Sequence, residues 1–238
     1  MTTEMSAQRL AYLHIRDSIV AGYVPAGSKI QPKTIAGFLR ISRLPVRDAL
    51  YQLDAEGFVQ VVVNRGAYVR SYSGEDIVDL SEMRAALEGL AGRLAVDRIT
   101  PRTLSEIEHL LNRTQRCQND FREFLTRHDE FHLYLYELSG RDYLVSEIRR
   151  LRLIHRPYLL DYCLANNEQE MLGFEHDLIL DELRRRDPAG VDRAIQVHVM
   201  RNAGNIARFT ASRENRGRRL SGPRERDVAP IVPVESRV

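Results

Sequence analysis

A predicted β-hairpin constrains the fold of this chain most, because it follows three short helical segments and precedes a long stretch of helical periodicity. Residues 58–63 are rich in valine, and residues 64–66 (Asn-Arg-Gly) have the composition of a tight turn. Residues 67–69 form the returning strand. Three short helices followed by a hairpin predict a winged helix-turn-helix in residues 1–72.

The third predicted helix carries two arginines on its outer side. Ser42 is a suitable N-cap, and Pro45 falls at about the third helical position, where no intrahelical N–H partner is needed. Arg43 and Arg47 are four residues apart and project together. The opposite, apolar side is made by Val46, Ala49, Leu50 and Leu53. Two guanidinium groups there suit guanine edges and phosphates in a DNA major groove, although the spacing also fits a solvated helix face.

Charge is distributed unevenly along the 238 residues, which suffice for one large or two small domains. Residues 1–72 hold nine Lys/Arg against five Asp/Glu, and residues 73–212 hold nineteen against twenty-four. Residues 213–238 hold seven against four, so the net charge is only +2. A basic N-terminal part ahead of an acidic body indicates that the first part approaches nucleic acid.

The composition also limits where the protein is expected to act. No run of about eighteen apolar residues is present, so no membrane span is expected. The N-terminus lacks the apolar segment of a signal peptide, which predicts a cytoplasmic protein. Cys117 and Cys163 are too few for a disulfide framework and are expected to be reduced thiols.

The sequence after residue 73 predicts only helices, because β-branched alternation is nearly absent and Asn, Asp, Gly and Pro separate helical segments. The predicted helices are 75–97, 101–117, 120–139, 142–164, 168–186 and 188–209. Six such segments predict an antiparallel bundle in residues 73–212, so the fold as a whole is expected to be mainly α. Residues 213–238 are rich in Arg, Pro and Gly, which predicts a disordered, solvated tail.

Four of the seven histidines occupy positions that suit a metal site. His128 and His132 are four residues apart, so both rings leave the same face of one helix. His176 lies on a later predicted helix and His198 on the helix after that one, and antiparallel packing of these two helices can bring their rings to the same level. A lone histidine in a helix is more often a core or surface residue, and that interpretation stays open for each of the four.

The N-terminal residues resemble the GntR family of bacterial transcription regulators. From Gly22 to Val69 the sequence follows that family's pattern through GYVPAG, an I-x-x-x-x-I-A segment, ISRLPVRDALYQLDAEGFV and NRGAYV. The resemblance implies a winged helix-turn-helix that binds double-stranded DNA. The positions that it implies for DNA contact, including the wing tip, are Lys33, Arg43, Leu44, Arg47, Asn64, Arg65 and Gly66.

Three positions depart from the pattern of that family. Pro32 stands where an acidic residue is common, and Arg40 stands where the turn often has glycine. Neither change is expected to disturb the fold, and Arg40 adds a candidate phosphate contact. Leu44 replaces a residue that is commonly small and hydroxylated, which is expected to alter the base preference.

Residues 75–209 resemble the FCD ligand-binding domain that defines the FadR branch of the GntR family. Its markers are present as MRAALE at 83–88, FH at 131–132, SG at 139–140, EH at 175–176 and His198. In many FCD domains an aspartate and three histidines bind a divalent metal ion, with the aspartate four residues before the first histidine. The resemblance therefore implies a metal site near the centre of the bundle.

The aspartate position of that metal site is His128 in this sequence, which departs from the family. The implied ligand set is then entirely histidine: His128, His132, His176 and His198. Asp129 is the second choice, if the helix is rotated. Imidazole ligands without carboxylate favour zinc, with nickel, cobalt, iron or manganese as alternatives, over magnesium or calcium.

The family resemblance also implies an effector. In FCD domains the metal usually leaves open positions, which water or the carboxylate of a small effector fills. Arg84 matches the arginine that often helps to hold that acid, and a guanidinium binds carboxylate in a bidentate fork. The alternative is that Arg84 pairs with Glu88 one turn on. Asn202, one turn after His198, is a weaker candidate for effector binding.

The sequence as a whole predicts a DNA-binding transcriptional regulator, not an enzyme, that represses as a homodimer on a palindromic operator. A small organic acid at the metal site is expected to control DNA binding. One alternative is a metal-responsive regulator in which the ion is the signal. Another is a metalloenzyme whose histidines activate a water, but the chain has no HExxH motif and no evident general base beside the cluster.

Overall fold

The computed structural model describes residues 5–117, 120–166 and 174–220, and this description excludes the side chains of residues 174, 175 and 214–220. The chain divides into two compact units, with boundaries between Tyr72 and Ser73 and between Arg216 and Gly217. Each unit buries its own apolar side chains, so each is described by itself.

The first unit contains three helices and a small antiparallel sheet. The elements are α1 (Ala7–Val20), β1 (Lys29–Ile30), α2 (Pro32–Leu39), α3 (Arg43–Ala55), β2 (Val59–Val62) and β3 (Gly66–Val69). Strand β3 lies between β1 and β2. The predicted winged helix-turn-helix is therefore confirmed. The sequence did not predict β1, because this two-residue strand is defined only by its pairing with β3, where Lys29 lies opposite Tyr68.

The turn between α2 and α3 contains a residue in an unfavourable conformation. Arg40 caps α2 with a φ of 55°, in the left-handed region that favours glycine. Helix α3 begins at Arg43, with Ser42 as N-cap and Pro45 as its third residue, as predicted. The Ser42 hydroxyl makes no capping hydrogen bond, contrary to the role expected of it. The start of α3 therefore depends on the fixed φ of Pro45 and on the burial of Val46.

The second unit is a bundle of six α-helices within the described part of the chain. They are α4 (Gly74–Ala95), α5 (Pro101–Gln115), α6 (Phe121–Glu137), α7 (Asp142–Asn166), α8 (Phe174–Arg185) and α9 (Pro188–Leu220), with one turn of 3-10 helix at Val96–Arg98. The prediction of a mainly α chain is confirmed. The predicted start of the fifth of these helices, residues 168–173, lies outside the described residues. Among the described helices, none is both long and apolar enough to cross a membrane.

Polar caps determine where several helices of the bundle begin. The Ser73 hydroxyl accepts from the backbone N–H of Asp76, whose carboxylate accepts from the backbone N–H of Ser73. Thr100 and Thr103 form the same reciprocal pair at the start of α5. Asp120 accepts from two backbone N–H groups at the start of α6. These local signals explain why the predicted starts of these helices lie close to the observed ones.

Helices α4 and α9 approach each other closely at two glycines of α4. A Cβ added at Gly92 would overlap Ile195 Cδ1, and one added at Gly89 would overlap a carboxylate of α9. The absence of side chains at these positions lets α9 lie directly against α4. This contact brings the helix that carries His198 close to the α4 turn that carries Glu88.

The end of α9 differs from the prediction. The helix continues to Leu220, so residues 213–220 are helical where the sequence predicted the start of a disordered tail. Arg213 forms an ion pair with Asp161 of α7 at 2.5 Å, and no proline interrupts the helix before its end. The remaining residues of the predicted tail, 221–238, lie outside the described residues.

Candidate functional site

The positions that the sequence predicts to contact DNA are all exposed in the first unit. They are Lys33 on α2, Arg43, Leu44 and Arg47 on α3, Asn64 and Arg65 between β2 and β3, and Gly66 at the start of β3. The three α3 residues lie opposite the buried Val46 and Ala49. Leu44 is 67% exposed, although leucine normally gains by burial. The structure thus presents these side chains to solvent, and their contact with DNA stays a prediction.

The wing tip is a tight loop with two left-handed backbone positions. The φ angle is 60° at Asn64 and 101° at Gly66, values that Asn and Gly adopt more readily than other residues. The Tyr68 hydroxyl donates to the carbonyl oxygen of Arg65 at 3.1 Å. These features fix the backbone of the loop while the Arg65 side chain remains in solvent.

Four buried histidines converge in the second unit. His128 and His132 come from α6, His176 from α8 and His198 from α9, and none is more than 6% exposed. The Nε2 atom of His132 lies 3.1–3.2 Å from the Nε2 atoms of the other three. One ring nitrogen from each of the four lies within 4.8 Å of all the others. The structure therefore brings together the four histidines that the sequence singled out.

The spacing of these nitrogens fits a metal ion better than a set of hydrogen bonds. A neutral imidazole has one N–H and one lone pair, so His132 Nε2 cannot form good hydrogen bonds with three neighbours at once. Nitrogens about 2.0–2.1 Å from a zinc ion would be about 3.3 Å apart in a tetrahedron and about 2.9 Å apart at cis positions of an octahedron. Four of the six distances between the Nε2 atoms are 3.1–3.2 Å, which lies between these values. The residues present thus fit a divalent ion.

The surroundings keep His128 and His132 neutral, which is the form that a metal ion requires. Burial lowers the pKa of His128 and His132 well below its usual range, and the positive charge of Arg152 lowers both further. Phe124 stacks on His128 with ring centroids 5.9 Å apart, and Phe131 lies edge-on to His132 at 4.8 Å. Apolar rings therefore wall the cluster and limit the access of water.

A buried carboxylate lies behind His132. Glu88 of α4 is 0% exposed and accepts hydrogen bonds from the Tyr136 hydroxyl at 2.7 Å and from Arg84 Nε and Arg152 at 2.8 Å each. The Tyr136 oxygen lies 3.1 Å from His132 Nδ1. Burial by itself would raise the pKa of Glu88, but the two arginines outweigh it and lower that pKa to about 2. Glu88 is therefore a carboxylate at any physiological pH.

Asp129, the alternative metal ligand, contacts a different set of partners. Its carboxylate oxygens accept hydrogen bonds from Arg152 at 2.7 Å and from Arg156 at 2.9 Å. Both oxygens are engaged by guanidinium groups, while the neighbouring His128 lies in the cluster. The structure therefore favours His128 over Asp129. Arg152 is 5% exposed and bridges Asp129 to Glu88, a role that the sequence did not predict.

The two residues predicted to bind an effector are both buried. Arg84 is 8% exposed and pairs with Glu88, as the alternative interpretation expected, but among the described residues no hydrogen bond engages its two terminal nitrogens. Asn202 is also 8% exposed, and its Oδ1 has no hydrogen-bond partner in the described part of the chain. The same holds for Nε2 of His155 on α7, where burial and the charge of Arg84 lower the pKa well below its usual range. Buried polar atoms without hydrogen-bond partners, such as Asn202 Oδ1 and His155 Nε2, favour a bound ligand that supplies those hydrogen bonds.

Two family matches cover most of the chain. Residues 7–69 match "Bacterial regulatory proteins, gntR family", and residues 79–201, more than half of the chain, match the FCD domain. The chain belongs to the GntR family. Its resemblance to the FCD-containing branch is thereby confirmed, and the matches and relatives identify a DNA-binding transcriptional regulator rather than an enzyme.

Relatives of this GntR-family regulator agree with that assignment. The Nta operon transcriptional regulator of Aminobacter aminovorans is 33% identical over 126 residues, which span 52% of this chain and 60% of that protein, less than two thirds of its length. The HTH-type transcriptional repressor RspR of Escherichia coli K12 is 28% identical over 79% of this chain and 83% of that protein. The solved structure of E. coli McbR/YncC has the same fold, with a TM-score of 0.76, 23% identity and coverage of 86% of this chain and 98% of that one.

The sequence of this GntR-family regulator identified the four histidines but not the residues behind them. Tyr136 lies one helical turn after His132, so a search for polar residues at that spacing would have found it. Arg152 and His155 lie on α7, which contributes none of the four histidines. Nothing in their local sequence indicates burial beside the cluster.

Proposed function

We propose that this regulator is a cytoplasmic, dimeric repressor whose release from its operator is controlled by a small carboxylate bound at a metal centre in the FCD domain. The proposed metal ligands are His128, His132, His176 and His198, and zinc is the favoured ion. Arg84 and Asn202 are the proposed effector-binding residues. The name of the relative RspR, a transcriptional repressor, supports the sign of regulation.

The convergence of four buried histidine ring nitrogens is the observation that carries this proposal. A divalent ion held only by neutral imidazoles would keep its full charge and favour an anion at an open coordination position. Arg84 and Arg152, partly balanced by Glu88, add positive charge to the same buried region. A carboxylate is therefore a better fit than a neutral ligand.

The contacts of Arg84 support its proposed role in binding the same anion. Its Nε is held by Glu88 at 2.8 Å, and a guanidinium anchored at one edge can offer its remaining N–H groups to a carboxylate. The buried Oδ1 of Asn202 can accept a hydrogen bond from a hydroxyl or amino group of the same molecule. These partners favour a small acid that carries a second polar group.

DNA binding is assigned to the first unit. In the proposed dimer, two copies of α3 enter successive major grooves of a palindrome, about 34 Å apart. Arg43 and Arg47 are exposed for that contact. An effector that binds the free dimer more tightly than the DNA-bound dimer lowers the affinity of the dimer for its operator. DNA lowers the affinity for the effector by the same factor.

Fluorescence anisotropy at fixed salt, with DNA from the region upstream of the protein's own gene, tests the proposal. Arg47→Ala should weaken specific binding by roughly 5- to 150-fold, equivalent to about 1–3 kcal/mol, because a bidentate guanine contact is lost. Arg193→Ala removes an exposed arginine of α9 and should not weaken it. No specific binding by the wild type, or equal binding by both variants, would contradict the DNA-reading assignment.

A metal-responsive regulator, in which the ion is the signal, is the second candidate. It is favoured because four histidines can bind a metal ion without a ligand from an effector. The same anisotropy assay is run with chelator, with Zn²⁺ alone, and with Zn²⁺ plus a panel of small organic acids. Release by an acid only when Zn²⁺ is present supports the effector-gated repressor. Release by Zn²⁺ alone, with no effect of any acid, supports the metal sensor instead.

A further inference from the structure

The hydrogen bonds behind His132 allow one consistent assignment of protons. Glu88 is an anion held by Arg84 and Arg152, so it can only accept hydrogen bonds. Tyr136 has a single hydroxyl proton, and its oxygen lies 2.7 Å from Glu88 Oε2, so that proton is donated to the carboxylate. A charge-assisted bond of this length is the stronger of the two that Tyr136 can make.

The assignment extends to the histidine itself. With its proton committed to Glu88, the Tyr136 oxygen can only accept from its other neighbour, His132 Nδ1, at 3.1 Å. Nδ1 must then carry a hydrogen. A neutral imidazole has only one N–H, so Nε2 of His132 is left with its lone pair. This is the nitrogen that lies 3.1–3.2 Å from the other three histidines.

We propose that Glu88 and Tyr136 are positioning residues that hold His132 in the Nδ1–H tautomer, so that its Nε2 lone pair faces the centre of the four-histidine cluster. The use of this lone pair rests on the proposed metal centre, whereas the proton assignment rests only on contacts within the chain. Without the Tyr136 hydroxyl, the alternative tautomer would direct an N–H group into the cluster and block one ligand position.

Nuclear magnetic resonance can test the tautomer directly. Full-length, metal-free, ¹⁵N-labelled protein is studied by long-range ¹H–¹⁵N correlation, which shows which nitrogen of each imidazole carries a hydrogen. We expect a protonated Nδ1 and a bare Nε2 in His132. Tyr136→Phe removes only the hydroxyl and should release this preference, whereas Tyr134→Phe, a half-buried position on the same helix, should preserve it.

Two results would overturn the proposal: a wild-type His132 protonated on Nε2, or a Tyr136→Phe variant with the wild-type tautomer. The wild-type spectrum shows which nitrogen of His132 is protonated even if the Tyr136→Phe variant does not fold. If the wild type has the expected tautomer but binds no Zn²⁺, the proton assignment stands and the proposed metal centre fails.

Zn²⁺ affinity provides the second readout, measured by competition with a chelating dye. Tyr136→Phe should bind Zn²⁺ about 10- to 100-fold more weakly than Tyr134→Phe, which is the usual effect of losing a partner that orients a histidine ligand. Equal Zn²⁺ affinities in the two variants would show that Tyr136 does not position His132 for a metal ion.

Discussion

The surface of the first unit that is predicted to contact DNA and the histidine cluster of the second unit place their side chains in opposite environments. The predicted DNA contacts are exposed and come from short, local segments. The histidines are buried, come from three helices, and depend through Glu88 and Arg152 on two further helices. Substitutions at the surface should therefore change DNA binding alone, whereas substitutions behind the cluster should also change stability.

The largest effect is expected from neutralising Glu88. Glu88→Gln leaves Arg84 and Arg152 buried without their shared anion, which should lower the free energy of unfolding by about 3–5 kcal/mol. Denaturant-induced unfolding measures this loss. Glu137→Gln removes an exposed partner of Arg149 and should cost at most about 1 kcal/mol. Similar losses in the two variants would mean that the buried network stabilises no more than a surface pair does.

The stability of the metal-free protein should also depend on pH. His128, His132 and His155 have folded-state pKa values well below the usual one, so the unfolded chain takes up protons first as the pH falls. Each contributes stability that is present above about pH 6.5 and is lost below it, by up to about 1.4 kcal/mol per pH unit.

Denaturant unfolding at pH 7.5, 6.5 and 5.5 measures this slope. His155→Gln should flatten it, because glutamine does not titrate. A free energy of unfolding that is constant over this range would contradict the prediction.

Two glycine substitutions should have opposite signs in the two units. Gly92→Ala overlaps Ile195 between α4 and α9 and should destabilise the bundle by about 1–3 kcal/mol. Gly37→Ala, in α2, meets no atom within 4 Å and should stabilise the protein by about 0.5–1 kcal/mol, because alanine loses less backbone entropy in a helix. Thermal unfolding of both variants tests this difference. If both substitutions stabilised the protein, α4 and α9 would have to move apart enough to accommodate the added methyl group.

The smallest effect concerns the left-handed residue of the helix-turn-helix. Arg40→Gly should raise the free energy of unfolding by up to about 1 kcal/mol, because glycine adopts a φ of 55° without steric cost. Arg193→Gly, at an exposed position inside α9, should instead lower it by about 1 kcal/mol. If Arg40→Gly also lowers the free energy of unfolding, the contacts of the Arg40 side chain stabilise the protein by more than its left-handed backbone conformation destabilises it.

The contrast between the units also explains what could be predicted from the sequence. The hairpin, the Pro45 start of α3 and the spacing of His128 and His132 depend on neighbours in the sequence, and these predictions agree with the structure. Strand β1 and the burial of Arg152 depend on partners far along the chain, which no local pattern encodes. Helix α9 continues into residues 213–220, where an arginine-rich composition predicts disorder.

The wide separation of His176 and His198 from the pair on α6 has a consequence for how the protein should be handled. His198 lies 66 residues after His132, so an unfolded chain has no assembled site, and an ion that fits the cluster binds only the folded state. Free ion at 100 times its dissociation constant would then add about 2.7 kcal/mol to stability. Under this linkage, preparations that differ only in their exposure to chelator during purification would melt at different temperatures.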